Sequence, residues 1–157
     1  MSLLGELRQI NTIFIDTAPI IYYIEAHPKF GPLAKEVVDT FQTGRLSAFS
    51  SVITPTEVLP KPIQVGKEEL ASRFAEFLRK GKNLSLIEIS ADMAEKAGRM
   101  RGQYPHLKAL DAIQIAVAID VGVDAFLTND NSLKQIKEMK ILVLSDYLIN
   151  EKDSYDT

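Results

Sequence analysis

Cysteine and tryptophan are absent from this chain, and its 157 residues include only two histidines. Without cysteine the protein cannot form a disulfide, a thiolate zinc site or a thiol nucleophile, and two histidines cannot supply a zinc cage. A reducing, cytoplasmic setting is the simplest expectation. The sequence also lacks a run of about 18 apolar residues and a basic segment followed by an apolar one near its start. We therefore expect a protein that neither spans a membrane nor is exported.

The charge balance is slightly acidic, with 18 Lys and Arg against 21 Asp and Glu and a net charge of −3. This argues weakly against a nucleic-acid partner, because such partners are usually met by a basic face. A chain of this length can bury an ordinary hydrophobic core as one domain, and no internal repeat or linker divides it. The sequence predicts a single domain over 1–157, in which 1–11 form an N-terminal extension that frays and 146–157 form a polar tail.

Short apolar runs alternate along the chain with longer stretches that have helical periodicity. The short runs are rich in β-branched and aromatic residues and are apolar on both faces, as is typical of strands in a parallel sheet. Strands alternating with helices predict an α/β fold: a three-layer domain with a parallel sheet of about five strands and helices on both faces. The predicted strands are 12–15, 46–52, 84–89, 125–127 and 141–144.

Helix boundaries are marked by capping residues, proline and glycine. Ser90 is the predicted cap of one helix, and Gly122 ends the most apolar one. A helix that opens at Thr54 is broken almost immediately by Pro60 and Pro62. The predicted helices are 17–24, 30–43, the short one from 54, then 66–82, 90–104, 108–121 and 132–139.

Four acidic residues at chain turns are the candidate functional positions: Asp16, Glu57, Asp111 and Asp130. Each has an ordinary explanation, because Asp and Glu are favoured at helix N-termini. Glu57 follows Thr54 by three residues and Asp111 precedes Gln114 by three, which is the spacing of a capping box. Taken singly, each of the four residues is explained as a helix cap.

Their positions in the predicted fold favour a second interpretation. Asp16, Glu57 and Asp130 follow predicted strands, and ligands of open α/β sheets bind outside the carboxyl ends of the strands. Asp111 is the only charged residue between Ala109 and Ile119, and it starts a helix that can reach the same edge. Four carboxylates gathered there repel one another unless a cation lies between them. All-oxygen ligands select Mg²⁺ or Mn²⁺.

The chemistry that such a site serves is metal-assisted phosphodiester hydrolysis, in which an ion activates water and neutralises the phosphate. Two alternatives stay open. One is a phosphatase with an aspartyl nucleophile at Asp16, which is weakened because Ala18 stands where such enzymes commonly place a second Asp. The other is a catalytically silent α/β module that binds RNA or a protein.

Four segments of the chain resemble the PIN-domain ribonucleases, and specifically the VapC-type toxins of toxin–antitoxin pairs. No segment is specific alone, but together they occur in the family's order, each on the expected strand or helix. They extend over nearly the whole chain. The segments are Ile13-Phe14-Ile15-Asp16-Thr17, Ser50-x-x-x-Thr54-x-x-Glu57, Leu110-Asp111-Ala112-Ile113-Gln114-Ile115-Ala116 and Phe126-Leu127-Thr128-Asn129-Asp130.

The resemblance implies a PIN-like fold and endonucleolytic cleavage of RNA by a Mg²⁺ or Mn²⁺ site made of the four acidic residues. It also implies that Thr17, Thr128 and Asn129 support this site. VapC-type toxins are usually neutralised by a small antitoxin protein and often form homodimers, so both partners are expected here. Some PIN domains serve as scaffolds, which keeps the silent module open. In this chain the segment 60–62, Pro-Lys-Pro, interrupts the helix after Glu57.

A basic run without acidic residues precedes Asp111. A solvated helix face and a set of contacts to RNA phosphates explain it about equally well. Arg101 and Lys108 are the candidate RNA contacts. If the four acidic residues belong to a metal site, the remaining chain is slightly positive, and the charge argument against a nucleic-acid partner largely disappears. The run comprises Lys96, Arg99, Arg101, His106 and Lys108.

Overall fold

A five-stranded sheet, parallel throughout, forms the centre of the molecule in a computed structural model that describes residues 1–148. Its strand order is β3-β2-β1-β4-β5, so the first strand of the chain is the central one. The sheet confirms the predicted α/β class and the number of strands. The strands are β1 (Thr12–Ile15), β2 (Ser47–Ser51), β3 (Leu84–Ile87), β4 (Ala125–Thr128) and β5 (Ile141–Val143).

Helices cover both faces of the sheet, and most coincide with predicted segments to within two residues. Ser90 caps its helix as predicted, accepting a hydrogen bond from the backbone N–H of Met93. No helix within residues 1–148 is long and apolar enough to cross a membrane. The helices are α1 (Leu3–Leu7), α2 (Thr17–Ile24), α3 (Gly31–Gln42), α4 (Ile53–Val58), α5 (Pro60–Gln64), α6 (Glu68–Lys80), α7 (Ala91–Gln103) and α8 (Ala109–Val121).

Two hydrophobic cores lie on opposite faces of the sheet, as the alternation of side chains along β1 requires. Ile13 and Ile15 pack with α1, α2, α3 and α6, whereas Phe14 packs with α7 and α8. The ring of Phe14 stacks on that of Phe126, with 5.2 Å between ring centroids. The result is the predicted three-layer arrangement, in which both helical layers meet the edge where the strands end.

The N-terminal extension, for which no helix was predicted, contains the helix α1. Ser2 caps α1 by accepting a hydrogen bond from the backbone N–H of Gly5. Leu3 and Leu7, one helical turn apart, are both buried, and α1 packs on α3. Burial of this short apolar stripe stabilises a helix that is too short to be stable alone.

Two other segments differ from their predictions. The prolines at 60 and 62 end α4, but Pro60 is also the first residue of α5. Proline is tolerated there because the backbone N–H at the first position of a helix makes no hydrogen bond within the helix. The helix predicted over 132–139 is a 3₁₀ helix of residues Asn131–Gln135, after which Ile136 is extended. Of the predicted tail 146–157, Tyr147 packs against the core, and residues 149–157 lie outside the described part.

Candidate active site

Asp16 lies at the carboxyl end of the central strand, where β1 meets β4. Its backbone N–H donates to the carbonyl oxygen of Leu127 at 2.9 Å, which continues the pairing of the two strands by one residue. Asp16 is also the N-cap of α2, and its side chain is half-buried. The capping interpretation therefore holds for Asp16, but it accounts for only one of the two carboxyl oxygens.

Both carboxyl oxygens of Asp16 accept hydrogen bonds. The backbone N–H of Thr17 donates to Oδ1 at 2.8 Å, and the Thr128 hydroxyl donates to Oδ2 at 2.9 Å. Thr128 is fully buried, and its hydroxyl oxygen also accepts from the backbone N–H of Asp130 at 3.2 Å. The carboxylate is thus held in one orientation by residues from the ends of two neighbouring strands.

Glu57 joins the same group through Thr17, whose hydroxyl donates to Oε1 of Glu57 at 2.8 Å. Glu57 is exposed and lies in the last turn of α4. The capping-box interpretation is wrong here, because α4 begins at Ile53 and has no side-chain cap. Hydrogen bonds therefore connect Glu57 to Asp16 and, through Thr128, to the backbone of Asp130.

Asp130 is exposed and caps the 3₁₀ helix that follows β4. Its Oδ1 accepts from the backbone N–H of Ser132 at 2.9 Å and from the Ser132 hydroxyl at 2.7 Å. The capping interpretation is therefore confirmed for Asp130. The second carboxyl oxygen, Oδ2, has no hydrogen bond from residues 1–148.

Asp111 lies in the first turn of α8 and is half-buried. The N-cap of α8 is Lys108, which makes no side-chain capping bond, and the side chain of Gln114 is used elsewhere. The capping box predicted for Asp111 and Gln114 was therefore wrong. Burial raises the pKa of Asp111, the neighbouring carboxylates of Asp130 and Glu57 raise it further, and the Lys108 ammonium acts in the opposite direction.

A buried polar network beneath the carboxylates ties β2 and α4 to α8. The Ser51 hydroxyl donates to Oε1 of Gln114, and Nε2 of Gln114 donates to the Thr54 hydroxyl at 3.1 Å. The hydroxyls of Thr54 and Ser50 are 2.9 Å apart. From the sequence, Thr54 and Gln114 were considered only as members of capping boxes and this network was not predicted, although a glutamine among the apolar residues in the middle of α8 was a signal that could have revealed it.

Asn129 makes no hydrogen bond to the four carboxylates. Its Nδ2 donates to the Tyr22 hydroxyl at 3.1 Å, and its Oδ1 accepts from the backbone N–H of Ser145 at 3.0 Å. The Tyr22 ring stacks on Phe30 with centroids 5.0 Å apart. Asn129 therefore links the turn after β4 to α2 and to the segment after β5, whereas Thr17 and Thr128 contact the carboxylates directly.

The two candidate RNA contacts are exposed and flank the connection between α7 and α8. Arg101 donates from Nε to the carbonyl oxygen of Leu107 at 3.2 Å, which helps to hold this connection. Lys108 immediately precedes α8 and acts electrostatically on Asp111. Lys108 therefore lies close enough to Asp111 to affect its pKa, whereas Arg101 makes a contact within the protein.

Burial and the neighbouring carboxylates both disfavour the negative charge on Asp16. Burial, as the largest cause, raises its pKa from 3.8 to about 6, and the charges of Asp111 and Glu57 contribute in the same direction. The hydrogen bonds from Thr17 and Thr128 oppose the rise without cancelling it. Within residues 1–148 no Lys or Arg forms an ion pair with any of the four acidic residues. The edge therefore concentrates negative charge.

The donor chemistry of this edge fits a hard divalent cation. All four candidate ligands are carboxylates, and Mg²⁺ typically takes one or two of these and completes its shell with water. Over residues 1–148, however, no three His, Cys, Asp or Glu side chains are grouped so that together they could hold a metal ion. A divalent cation at this edge would therefore be bound by carboxylate oxygens and water rather than enclosed by protein ligands.

Comparisons with known proteins agree with this architecture. A search of curated proteins found no significant match to the sequence. Among solved structures, VapBC2 from Rickettsia felis bound to a promoter DNA fragment has a TM-score of 0.69 at 19% identity, over 84% of this chain and 98% of that one. A toxin–antitoxin complex from Klebsiella pneumoniae has a TM-score of 0.63 at 23% identity, over 84% and 97%.

The toxin VapC20 from Mycobacterium tuberculosis, described as cleaving the sarcin-ricin loop, has a TM-score of 0.64 at 19% identity and covers 82% of this chain and 98% of its own. At such identities these similarities show the fold alone. The family model of the PIN domain matches residues 13–139, which is most of the chain and includes all four acidic residues. The chain therefore belongs to the PIN domain family.

Proposed function

We propose that the protein is a metal-dependent endoribonuclease whose site consists of Asp16, Glu57, Asp111 and Asp130. The observation that carries this proposal is the gathering of carboxylates at one edge of the sheet, where burial and, to a smaller extent, the neighbouring carboxylates raise the pKa of Asp16 and Asp111. Gathering like charges without a paired cation is unfavourable for the folded chain alone. A divalent cation relieves that repulsion.

One or two of these four carboxylates, together with water, would hold Mg²⁺ or Mn²⁺, and the bound ion would lower the pKa of a water and neutralise charge on the phosphate. The Thr17 N–H and the Thr128 hydroxyl orient the carboxylate of Asp16, and the Thr17 hydroxyl orients that of Glu57. Such fixed orientation is the contribution that a protein makes to metal-assisted hydrolysis. Asn129 supports the site indirectly, by holding the turn that carries Thr128 and Asp130.

RNA is the substrate that we propose, and the description of VapC20 as a toxin that cleaves the sarcin-ricin loop supports this choice. Lys108 and Arg101 are proposed to contact phosphates, because both are exposed and Lys108 already interacts electrostatically with Asp111. Cations beside a carboxylate site offset its repulsion of a polyanion. Binding of RNA should therefore depend on both the bound metal ion and this local basic segment.

A small antitoxin protein is the proposed partner, and two of the similar structures are complexes of a toxin with its antitoxin. We further propose that the chain forms a homodimer. Light scattering during size-exclusion chromatography tests both proposals, first on the chain alone and then after co-expression with a small protein from a neighbouring reading frame; the lack of such a reading frame would itself count against the antitoxin. A monomeric mass for the chain and no complex with that protein would contradict them.

The test of the proposed activity is cleavage of a mixed pool of single-stranded RNA with Mn²⁺, with and without chelator. Asp111→Asn should abolish cleavage with folding intact. Asp120→Asn is the matched control, because it makes the same change at an exposed position near the other end of α8. Equal cleavage by the wild type and Asp111→Asn would refute the proposal.

A second candidate is a PIN-fold module that binds RNA or a protein without cleaving RNA. The observation that favours it is that, within residues 1–148, no three potential ligand side chains are grouped to hold an ion. Titration calorimetry with Mn²⁺ separates the two functions. Binding of Mn²⁺ that Asp16→Ala abolishes favours the nuclease, whereas no metal binding, with RNA binding retained in Asp16→Ala, favours the module.

A further inference from the structure

A pocket of about 200 Å³ opens directly beside Glu57, between the α4–α5 segment and α6. Its surface is divided between polar and apolar side chains, and the apolar part includes Val58, Pro62 and Phe74. Glu57 also lines the pocket, so the pocket adjoins the carboxylate edge. A ligand held at that edge therefore has a partly apolar recess within reach.

The Pro-Lys-Pro segment at 60–62 builds one side of this pocket. Pro60 starts α5 immediately after α4 ends, and this turns the chain so that Pro62 is buried against α6 while Lys61 stays exposed at the rim. The fixed backbone angle of proline favours such a helix start. A segment that interrupts a helix in the sequence thus forms a wall beside the candidate active site.

The rim of the pocket carries two exposed lysines, Lys61 and Lys67. Neither forms an ion pair with another residue of the part that the structure describes. Glu25 also lines the pocket and offers a carboxylate oxygen to an N–H donor. A partly apolar recess with two cations at its rim and two carboxylate acceptors, Glu25 and Glu57, matches a nucleotide, which combines an apolar ring face, N–H groups and a phosphate.

The size of the pocket distinguishes a nucleobase from larger ligands. Sites for drug-sized molecules usually enclose about 300–1,000 Å³, so this pocket suits a single flat group. We propose that it takes the base of the nucleotide next to the cleaved phosphate, and that Lys61 and Lys67 contact the adjoining phosphates. The proposal rests on the nuclease function argued above, and it makes the α5 segment a determinant of which RNA sites are cut.

Val65 and Ile63 provide a matched pair of variants. Both side chains lie at the end of α5 and are exposed, at 58% and 50%, but only Val65 lines the pocket. Val65→Phe should therefore narrow the pocket without disturbing the core, and Ile63→Phe adds the same ring outside it. Both changes are made in Asp111→Asn protein with Mn²⁺ present, so that the RNA stays intact during binding.

Fluorescence anisotropy then measures the binding of a short single-stranded RNA in which each nucleotide in turn is made abasic. Removal of one particular base should weaken binding about tenfold in the protein with the open pocket and in Ile63→Phe. The same removal should have no effect in Val65→Phe, because its pocket no longer accepts the base.

Affinity that depends on no base, or a dependence that persists in Val65→Phe, overturns the proposal. So does a Val65→Phe protein that fails to bind the antitoxin while its RNA binding is unchanged, since the pocket would then belong to a protein partner. Cleavage of the RNA pool by the wild type is scored separately. If the wild type cleaves RNA but its affinity depends on no single base, only the pocket proposal fails. If its affinity depends on one base but it cleaves no RNA, only the nuclease proposal fails.

Discussion

Two aspartates at opposite ends of the same sheet behave in opposite ways. Asp124 lies at the amino end of β4, where its Oδ2 accepts from the backbone N–H groups of Asn11 at 2.8 Å and Thr12 at 3.1 Å. The hydrogen bond from Asn11 is the main reason why the pKa of Asp124 is lowered. At this end of the sheet, folding favours the ionised carboxyl group.

Asp16, at the carboxyl end of β1, also accepts two hydrogen bonds, yet burial and two neighbouring carboxylates raise its pKa to about 6. Folding therefore favours its protonated form. Hydrogen bonds alone therefore do not set the role of a carboxyl group: Asp124 stabilises the fold as an anion, whereas the charge on Asp16 costs stability and is available to a cation.

The largest expected effect is on cleavage. Asp16→Asn should lower the rate of Mn²⁺-dependent RNA cleavage by at least about 10³-fold, because the amide removes a charged ligand from an ion that supplies several kcal/mol of transition-state stabilisation. Asp124→Asn, the same change at the other end of the sheet, should leave the rate within a factor of about two. Single-turnover cleavage of one RNA by both variants checks this. Comparable losses in both variants would show that the two aspartates do not differ in function.

The next largest effect is on the free energy of unfolding. Asp16→Asn should raise it, whereas most substitutions of buried residues lower it. The stability that Asp16 contributes through its raised pKa is fully present below pH 3.8 and is lost as the pH rises through about 6. Asn imitates the protonated group, so Asp16→Asn should be more stable than the wild type by about 3 kcal/mol at pH 8 in chelator, with little difference at pH 4. Urea denaturation at the two pH values measures it.

A pH-independent loss of stability in Asp16→Asn would show that the hydrogen bonds from Thr17 and Thr128 outweigh the charge. Mn²⁺ supplies a control on the same samples, because an ion that binds only the folded wild type raises its stability in proportion to RT ln(1 + [Mn²⁺]/Kd). The gain should be absent in Asp16→Asn.

Much of this fold follows from the sequence because strand and helix periodicity are local. The apolar residues of β1 and β4 and the glycine after α8 predict the elements they form, and strand–helix alternation predicts the parallel sheet. The helix α1 was missed because its stability comes from packing on α3, and that contact is not visible in a local pattern.

The candidate site is less accessible to sequence reasoning. Spacing alone could not separate caps from other carboxylates: Asp16 and Asp130 do cap helices, whereas Glu57 and Asp111 do not. The difference depends on partners distant in sequence, such as Thr17 for Glu57. The same is true of the bond between Ser51 and Gln114, which are 63 residues apart. Proximity to the end of a strand was the predictive feature, because parallel strands end at a common edge.

A smaller effect is expected at the amino end of the sheet. Asp124→Ala should lower the free energy of unfolding by about 1 kcal/mol at pH 7, because the N–H groups of Asn11 and Thr12 lose their acceptor and turn to water. The contribution is present above pH 3.8 and is lost as the pH falls through the lowered pKa of Asp124. Urea denaturation at pH 7 and pH 3 measures it, and RNA cleavage should be unchanged. Stability unaffected at pH 7 would contradict this account of Asp124.

The smallest expected effect concerns Lys108, the cation that acts on Asp111. Lys108 is exposed and lowers the pKa of Asp111. Lys108→Gln should raise KM for RNA about threefold at low salt, in keeping with the strength of an exposed charge contact, and less at high salt because ions screen it. The variant should also need a slightly higher pH for half-maximal cleavage, since the pKa of Asp111 rises further. Initial rates across pH and salt measure both changes.

Lys82→Gln is the matched control, because it removes the same charge from an exposed residue that precedes β3 at the opposite edge of the sheet. If net charge alone attracts RNA, the two variants should lose affinity equally and share one pH profile. If the carboxylate edge is the site, only Lys108→Gln should shift the acidic limb of that profile, because only Lys108 faces a carboxyl group whose ionisation the reaction needs. The shift of the limb therefore separates a local role of Lys108 from general attraction of a polyanion.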